Sequence, residues 1–434
     1  MSIPWVYIGS IGNHTGQTVC IKGWLYNKRS SGKIHFLQLR DGTGFIQGVM
    51  VKKDVDEATF SAADKITQES SVTVFGIVRE DQRAPSGYEL ALLSLEPLQT
   101  AVDYPITPKE HGTAFLMENR HLWLRSSRQR ALHRLRNRVE KAIVDFFFEN
   151  NFIRTDTPIL TATAAEGTSN LFATQYYDLG AAYLAQTGQL YLEAAIFSHG
   201  LVYNFGPTFR AEKSKTRRHL SEFWMVEAEE AYYDNDDNIH LQERLVQYLI
   251  VRCLEGCREE LKVLERDTVK LEEAVNAPFA RTTYDEAVNL LQGLGNPIQS
   301  GDDLGGDEET ALSLHFGKPV FIINYPKKIK AFYMKEDPQN PERVKCADLI
   351  ASEGYGEIIG GSQREEDYDK LLERMREFDI PLEPYRWYVD LRKYGSVPHS
   401  GFGLGIERTV SWIAGISHVR EAILFPRMLY RIYP

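Results

Sequence analysis

The chain has 434 residues, 43% of them hydrophobic and 25% charged, which excludes the disordered, collagen-like and low-complexity classes. Its formal net charge of -10 excludes a globally basic nucleic-acid binder, so any RNA contact must come from local patches. No apolar run approaches the roughly 18 residues of a membrane span. Met1 to Ser10 lacks the pattern of a secretory leader, and the four cysteines (Cys20, Cys253, Cys257, Cys346) are too scattered for a disulfide framework. The expectation is a cytoplasmic protein of two or three domains without membrane association.

The first 100 residues read as β-structure. Alternating stretches at 18–25, 33–40, 44–51, 72–78 and 88–95 are divided by Ser, Gly, Asp and Pro turn residues, and one helix is predicted over 57–65. Five strands with a helix after the third is the pattern of an OB-type barrel, which predicts a domain over 1–100. Pro105 and Pro108 mark a linker over 101–118, and 119–434 forms the second domain. There the apolar spacing of Leu132, Leu135, Val139, Ile143 and Phe146 predicts a helix over 128–149. A strand over 152–157 ends at Pro158. Strands at 202–212 and 221–232 form a long hairpin, followed by a helix over 238–264. Residues 265–315, with an acidic run at 302–309, read as an insertion. Strands at 320–323, 331–334 and 356–360, a helix at 365–378, and a glycine-rich strand running into a helix at 406–414 complete the chain. Irregularly alternating strands and helices predict an α+β fold, not a doubly wound sheet. Residues 120–138 hold seven arginines and no acid, an exposed helix face or a contact surface. Cys253 and Cys257 lie four apart, but without a second ligand pair they do not predict zinc.

Three constellations carry chemistry. The hairpin loop holds Lys213, Lys215, Arg217, Arg218 and His219, cations that repel one another unless a polyphosphate or another anion arrives. On the returning strand, Phe223, Met225 and Glu227 share one face, and Phe223 and Glu227 stand about 13 Å apart. That is about the length of an aminoacyl adenylate, with an aromatic for a purine at one end and a carboxylate for a polar group at the other. In Gly401-Phe-Gly-Leu-Gly-Ile-Glu-Arg408 the glycines alternate, so they clear one face of a strand and do not match a dinucleotide fingerprint. Arg408 follows as a clamp for a base or phosphate. In the third, Glu357 is a hard oxygen ligand suited to Mg²⁺, and Arg364 a donor for a substrate oxygen.

These segments resemble the signature motifs of class II aminoacyl-tRNA synthetases. The helix-strand unit ending at Pro158 resembles motif 1, Phe209-Arg-Ala-Glu212 motif 2, and the stretch from Gly401 to Arg408 motif 3. The N-terminal barrel is similar to that of the aspartyl, asparaginyl and lysyl subgroup. The wording of motif 2 and of Glu357-Ile-Ile-Gly-Gly-Ser-Gln-Arg364 is most similar to asparaginyl-tRNA synthetases. The resemblance implies a catalytic domain built on an antiparallel sheet flanked by helices, ATP and Mg²⁺ as co-substrate and ion, and a homodimer joined through motif 1. It implies that Arg210 contacts the α-phosphate and the amino-acid carboxylate. Glu212 and Phe223 would hold adenine, Arg217 and His219 would reach the outer phosphates, and Arg408 would close over the nucleotide. Glu357 would bind the metal, with Gly360 where some relatives place a serine ligand. Glu166 and Gln189 would hold the α-amino group, and the loop from Gly167 to Phe172 would close on the amino acid. In the barrel, Arg29, Phe36, Gln47 and Glu89 match positions that read the anticodon.

The pocket argument favours asparagine over aspartate. Aspartyl relatives carry a lysine where this chain has Leu192, three residues after Gln189 and so expected to face the same pocket. Glu227 would accept from the side-chain amide and Arg364 donate to its oxygen, while an aspartate would meet Glu227 with like charge. The expected activity is an asparagine–tRNA ligase making asparaginyl-AMP and charging tRNA(Asn). The alternatives are an aspartyl enzyme, a tRNA-independent asparagine synthetase and a catalytically inactive RNA-binding paralogue. His399 either lines the amino-acid pocket or is a plain loop residue.

Overall fold

The computed structural model describes residues 3–84, 86–163 and 171–434, which form two compact units, Met1–Thr113 and Ala114–Pro434. In the first, period-two alternation makes five strands: β1 (Thr18–Ser31), β2 (Ile34–Arg40), β3 (Phe45–Val51), β4 (Ser71–Glu80) and β5 (Tyr88–Gln99). They close into a barrel in the order β1-β2-β3-β5-β4, with helix α1 (Glu57–Lys65) after the third strand, as its sequence predicts. Val19, Ile21, Leu37, Leu39, Ile46 and Val74 fill the interior. Strand β1 outruns its prediction because a bulge between Leu25 and Asn27 lets its second half go on pairing with β2.

The second unit is an eight-stranded sheet flanked by helices. Its strands are β6 (Ile153–Arg154), β7 (Leu201–Phe209), β8 (Glu222–Ala231), β9 (Ala280–Thr283), β10 (Val320–Ile323), β11 (Cys346–Ala351), β12 (Gly356–Gln363) and β13 (His399–Gly405). They lie in the order β9-β10-β11-β12-β13-β8-β7-β6. The antiparallel expectation holds for the centre only. The outer pairs β9/β10 and β6/β7 are parallel, so the sheet is mixed. Helices α2 (Ser127–Glu149) and α4 (Asn235–Gly256) supply Leu132, Leu135, Leu245 and Leu249 to a core that meets Val226 and Ala228 of β8. Ser126 caps α2, and Asp234 with Asp237 forms a capping box at α4. The remaining helices used below are α3 (Gln189–His199), α5 (Gly306–Phe316), α6 (Arg386–Lys393) and α7 (Ile406–Ala414).

Residues 265–315, expected as an insertion, contribute β9 to the sheet, and Tyr284, Leu291 and Leu312 to a buried cluster with Val320 and Ile350. Residues 331–334 make one isolated bridge, Met334 to Arg364, instead of a strand. The strand actually present is β11, whose buried run Cys346–Ala351 lacks the alternation that would announce it.

Two of the seven arginines in the arginine-rich stretch are buried inside the unit. Arg120 is fully buried and donates to the carbonyls of Glu421, Ile423 and Leu424 and to Gln129 Oε1. Arg136 donates to Glu407, Glu140 and the Ala422 carbonyl. These contacts tie α2 to the C-terminal segment, so burial and not a solvated face explains both residues. Arg120→Leu strands three carbonyls and should cost about 3 kcal/mol or more, read as a lower midpoint in denaturant unfolding.

Candidate active site

One face of the sheet holds a cavity of about 710 Å³. Strand β8 supplies its floor: Phe223, Met225, Glu227 and Glu229, alternate residues of one strand, all line it. The first three were legible from strand parity, and Glu229 is the next step of the same rule.

Glycines in β13 make this floor possible. A Cβ at Gly401 would fall on the Glu229 carboxylate, and one at Gly403 on the Met225 methyl. Two of the three alternating glycines therefore clear room for side chains of β8, and less for a flat ligand directly. Gly405 faces only the Arg408 side chain, whose atoms lie 3.9 Å or more from such a Cβ.

Arg210, Glu212, His219, Phe223 and Arg408 line the cavity together. The Arg210 guanidinium lies 5.8 Å from the centre of the Phe223 ring and donates to the Gln186 carbonyl. Among the described residues, Glu212 Oε2 and His219 Nε2 are buried without a partner, two polar atoms that a bound ligand can satisfy. Burial lowers the His219 pKa, which keeps its imidazole neutral near pH 7. Arg217 borders a neighbouring cavity of about 130 Å³ with Arg218, Arg408 and His418, and Arg218 and Arg408 border both cavities. Arg218 is ion-paired to Glu309 of α5 at 3.0 Å and donates to Thr310 and the Gly354 carbonyl. The segment read as an insertion thus walls the site.

Glu357 lies in the cavity with its carboxylate 3.5 Å from Arg408. A Cβ at Gly360 would lie 3.2 Å from Glu357 Oε1 and 3.6 Å from Asp348 Oδ1, so two carboxylates converge over that glycine. Asp348, held by Lys330 at 2.5 Å, is a residue the sequence reading missed, because β11 itself went unread.

Farther along the same strand, Glu227 is buried, accepts from the Gly188 N–H at 2.8 Å and from the Thr187 hydroxyl, and has its pKa raised by burial. Arg364 is buried too. Its Nε and Nη2 donate to Glu229 at 3.1 and 2.5 Å, and Nη1 donates to the Ser362 hydroxyl at 2.7 Å. Gln189 lines the cavity. Leu192 does not: it is fully buried in an apolar cluster with Ile196, Val202 and Ala231, so it faces the core and not the pocket. The helical spacing is as expected, but Gln189, itself buried, is on the side of α3 that borders the cavity, and Leu192 is on the face turned into the fold. His399 is likewise fully buried and reaches Glu193, not the cavity. Glu166 and residues 167–170 lie outside the described residues.

On the barrel, Arg29, Phe36, Gln47 and Glu89 occupy four neighbouring strands on one outward face. Arg29 pairs with Phe36 across β1/β2, its guanidinium 4.9 Å from the ring centre, and Gln47 pairs with Glu89 across β3/β5. Phe36 is half-buried and stands apart from the barrel's interior cluster.

The family model described as tRNA synthetases class II (D, K and N) matches residues 113–429, and an OB-fold nucleic acid binding domain model matches residues 19–98. The asparagine–tRNA ligases of Herpetosiphon aurantiacus and Chloroflexus aurantiacus are each 55% identical, over 100% of this chain and 99% of theirs. The asparaginyl-tRNA synthetase of Pyrococcus horikoshii, solved with asparaginyl-adenylate, superposes with a TM-score of 0.95 at 46% identity over 99% of both chains. That of Entamoeba histolytica, also with asparaginyl-adenylate, gives 0.90 at 30% identity over 100% of both. The chain belongs to the class II tRNA synthetases of the aspartate, lysine and asparagine group. Within that group its family is that of the asparagine–tRNA ligases.

The pKa of Glu309 is pushed up to about 7 by burial and by the neighbouring Glu357 carboxylate. A raised carboxylate pKa means the folded chain holds more protons than the unfolded one between about pH 4.5 and 7. This group therefore costs stability as pH rises through that window. Glu309→Gln should flatten the fall in melting temperature between pH 4.5 and 7, checked by calorimetry across that range.

Proposed function

We propose that the cavity joins L-asparagine to ATP and passes the product to tRNA(Asn). The observation that carries this is the floor of β8, where Phe223 and Glu227 mark the two ends of one elongated ligand. The asparagine carboxylate attacks the α-phosphorus, and pyrophosphate leaves. The terminal 3′-hydroxyl of the tRNA then attacks the activated carbonyl, and AMP leaves. No protein nucleophile is required. Arg210 faces the α-phosphate and the carboxylate, so it neutralises charge in both steps. Glu212, His219 and Phe223 hold the base and phosphates, Arg408 closes from α7, and Arg217 and Arg218 take the outer phosphates. Gln189, with Glu166, receives the α-ammonium.

Selectivity rests on two groups. Three of the five N–H donors of Arg364 serve Glu229 and Ser362, which leaves two for the substrate amide oxygen. Glu227 takes the amide N–H₂. An aspartate side chain would place a second carboxylate against Glu227 in a buried site, which disfavours the aspartyl reading without help from Leu192.

Mg²⁺ fits the donor set, since Glu357 and Asp348 offer hard oxygens over Gly360 and leave the remaining positions to phosphate oxygens and water. When bound it would neutralise the polyphosphate. Among the described residues no group of three or more His, Cys, Asp or Glu gathers as a metal site, and no helix is long and apolar enough to cross a membrane. Exposed Phe148, Ile153 and Leu160, beside the motif 1 segment, support a homodimer through that face. Four free, buried cysteines suit a reducing cytoplasm.

ATP–pyrophosphate exchange with purified protein should proceed with asparagine and not with aspartate. Exchange with aspartate alone would overturn the pocket reading. Glu227→Gln should narrow the preference for asparagine by about tenfold or more, the worth of one buried charge-assisted contact. Phe36→Ala should leave this exchange unchanged and weaken tRNA charging by about tenfold, because a lost base stack costs about 1–3 kcal/mol. Equal loss in both assays would make Phe36 structural.

A further inference from the structure

Behind the amino-acid end of the cavity lies a buried polar cluster that none of the roles above uses. Glu193 of α3 has no exposed surface. Its Oε2 faces Arg392 of α6 at 2.5 Å, His399 Nε2 of β13 at 3.1 Å and the Tyr388 hydroxyl at 2.8 Å. Its Oε1 accepts from Gln189 Nε2 at 3.0 Å, one helical turn earlier on the same helix. Burial opposes the charge, but Arg392 and His399 hold the Glu193 pKa well below the usual carboxylate range. An ionised carboxylate can only accept. The end of the Gln189 amide that faces it must therefore be the NH₂ end.

A free glutamine amide can present either end to a ligand, and the two ends have opposite preferences for an ammonium. Here the turn is decided from behind. With Nε2 committed to Glu193, the carbonyl oxygen is the end left for the cavity, and among the described residues it has no hydrogen-bond partner. We infer that Glu193, locked by Arg392, His399 and Tyr388, is a positioning residue that fixes the amide of Gln189 so that its oxygen receives the α-ammonium of the substrate. Three separate elements, α3, α6 and β13, are recruited to orient one acceptor. The inference rests on the reading of Gln189 as the ammonium acceptor.

The test compares asparagine with succinamic acid, which is asparagine without its α-amino group, as a competitive inhibitor of pyrophosphate exchange. Glu193→Gln lets either end of Gln189 face the pocket. The KM for asparagine should rise about tenfold, the worth of one charge-assisted hydrogen bond, while the KM for ATP and the inhibition constant of succinamic acid stay within about twofold. Gln189→Leu should show the same selectivity, and the double variant should lose less than about threefold more than either single one, as expected when one residue acts through the other. If Glu193→Gln does not fold, Tyr388→Phe removes one donor to Glu193 without changing charge and should show the same pattern at smaller amplitude. Equal weakening of asparagine and succinamic acid would make Glu193 a structural residue and overturn the inference. If Gln189→Leu itself fails to distinguish the two compounds, the ammonium reading of Gln189 falls, and this inference falls with it. If Gln189→Leu distinguishes them and Glu193→Gln does not, only the inference falls.

Discussion

The bidentate pair of Arg364 and Glu229 is the contact on which the cavity floor depends. Both partners are almost completely buried, and the geometry is a fork of two N–H donors on one carboxylate. Burial alone would push each group toward its neutral form, but each stabilises the charge of the other, and the fork fits the ionised pair. The pair pins the end of β12 to the middle of β8 across β13, and it requires that the strand between carry no side chain at Gly401. Breaking it by removing one partner would leave a lone buried charge, an outcome typically worth 3–5 kcal/mol.

Around that pair, charge is buried in compensated layers. Glu227 stands on the cavity floor, supported by a backbone N–H and a hydroxyl, and Glu193 lies deeper against Arg392. Each carboxylate is held by partners from segments distant in sequence. A site assembled this way is preorganised. Its donors and acceptors are oriented before substrate arrives, and less ordering remains to be done during the reaction.

Much of this was legible in the sequence, and the reason is local periodicity. The barrel, α2, the hairpin and the shared face of Phe223, Met225 and Glu227 all follow from two- or 3.6-residue repeats and turn chemistry. What was illegible is non-local. Glu229 and Arg364 are 135 residues apart, and Glu193 and Arg392 are 199 apart, so no spacing rule joins them. Asp348 sits in a strand buried on both sides, where alternation is lost. Leu192 shows the opposite failure. Helical spacing placed it near Gln189, but which side of the helix faces the pocket is settled by packing against Val202 and Ala231. Arg120 and Arg136 were illegible for a related reason: buried arginine, satisfied by carbonyls, has the same composition as a solvated basic face.

The parallel pairing of β9 with β10 bears on how far this chain can be shortened. A surface insertion can be trimmed, because its removal closes a loop at small entropic cost. The segment 265–315 is different, since β9 occupies the sheet edge and Leu291 and Leu312 fill the cluster beneath it. Excision would bare the unpaired backbone of β10 and an apolar face together, a template for edge-to-edge association. Any minimal version of the catalytic unit must keep this stretch, and shortening is better sought in turns that neither pair nor pack.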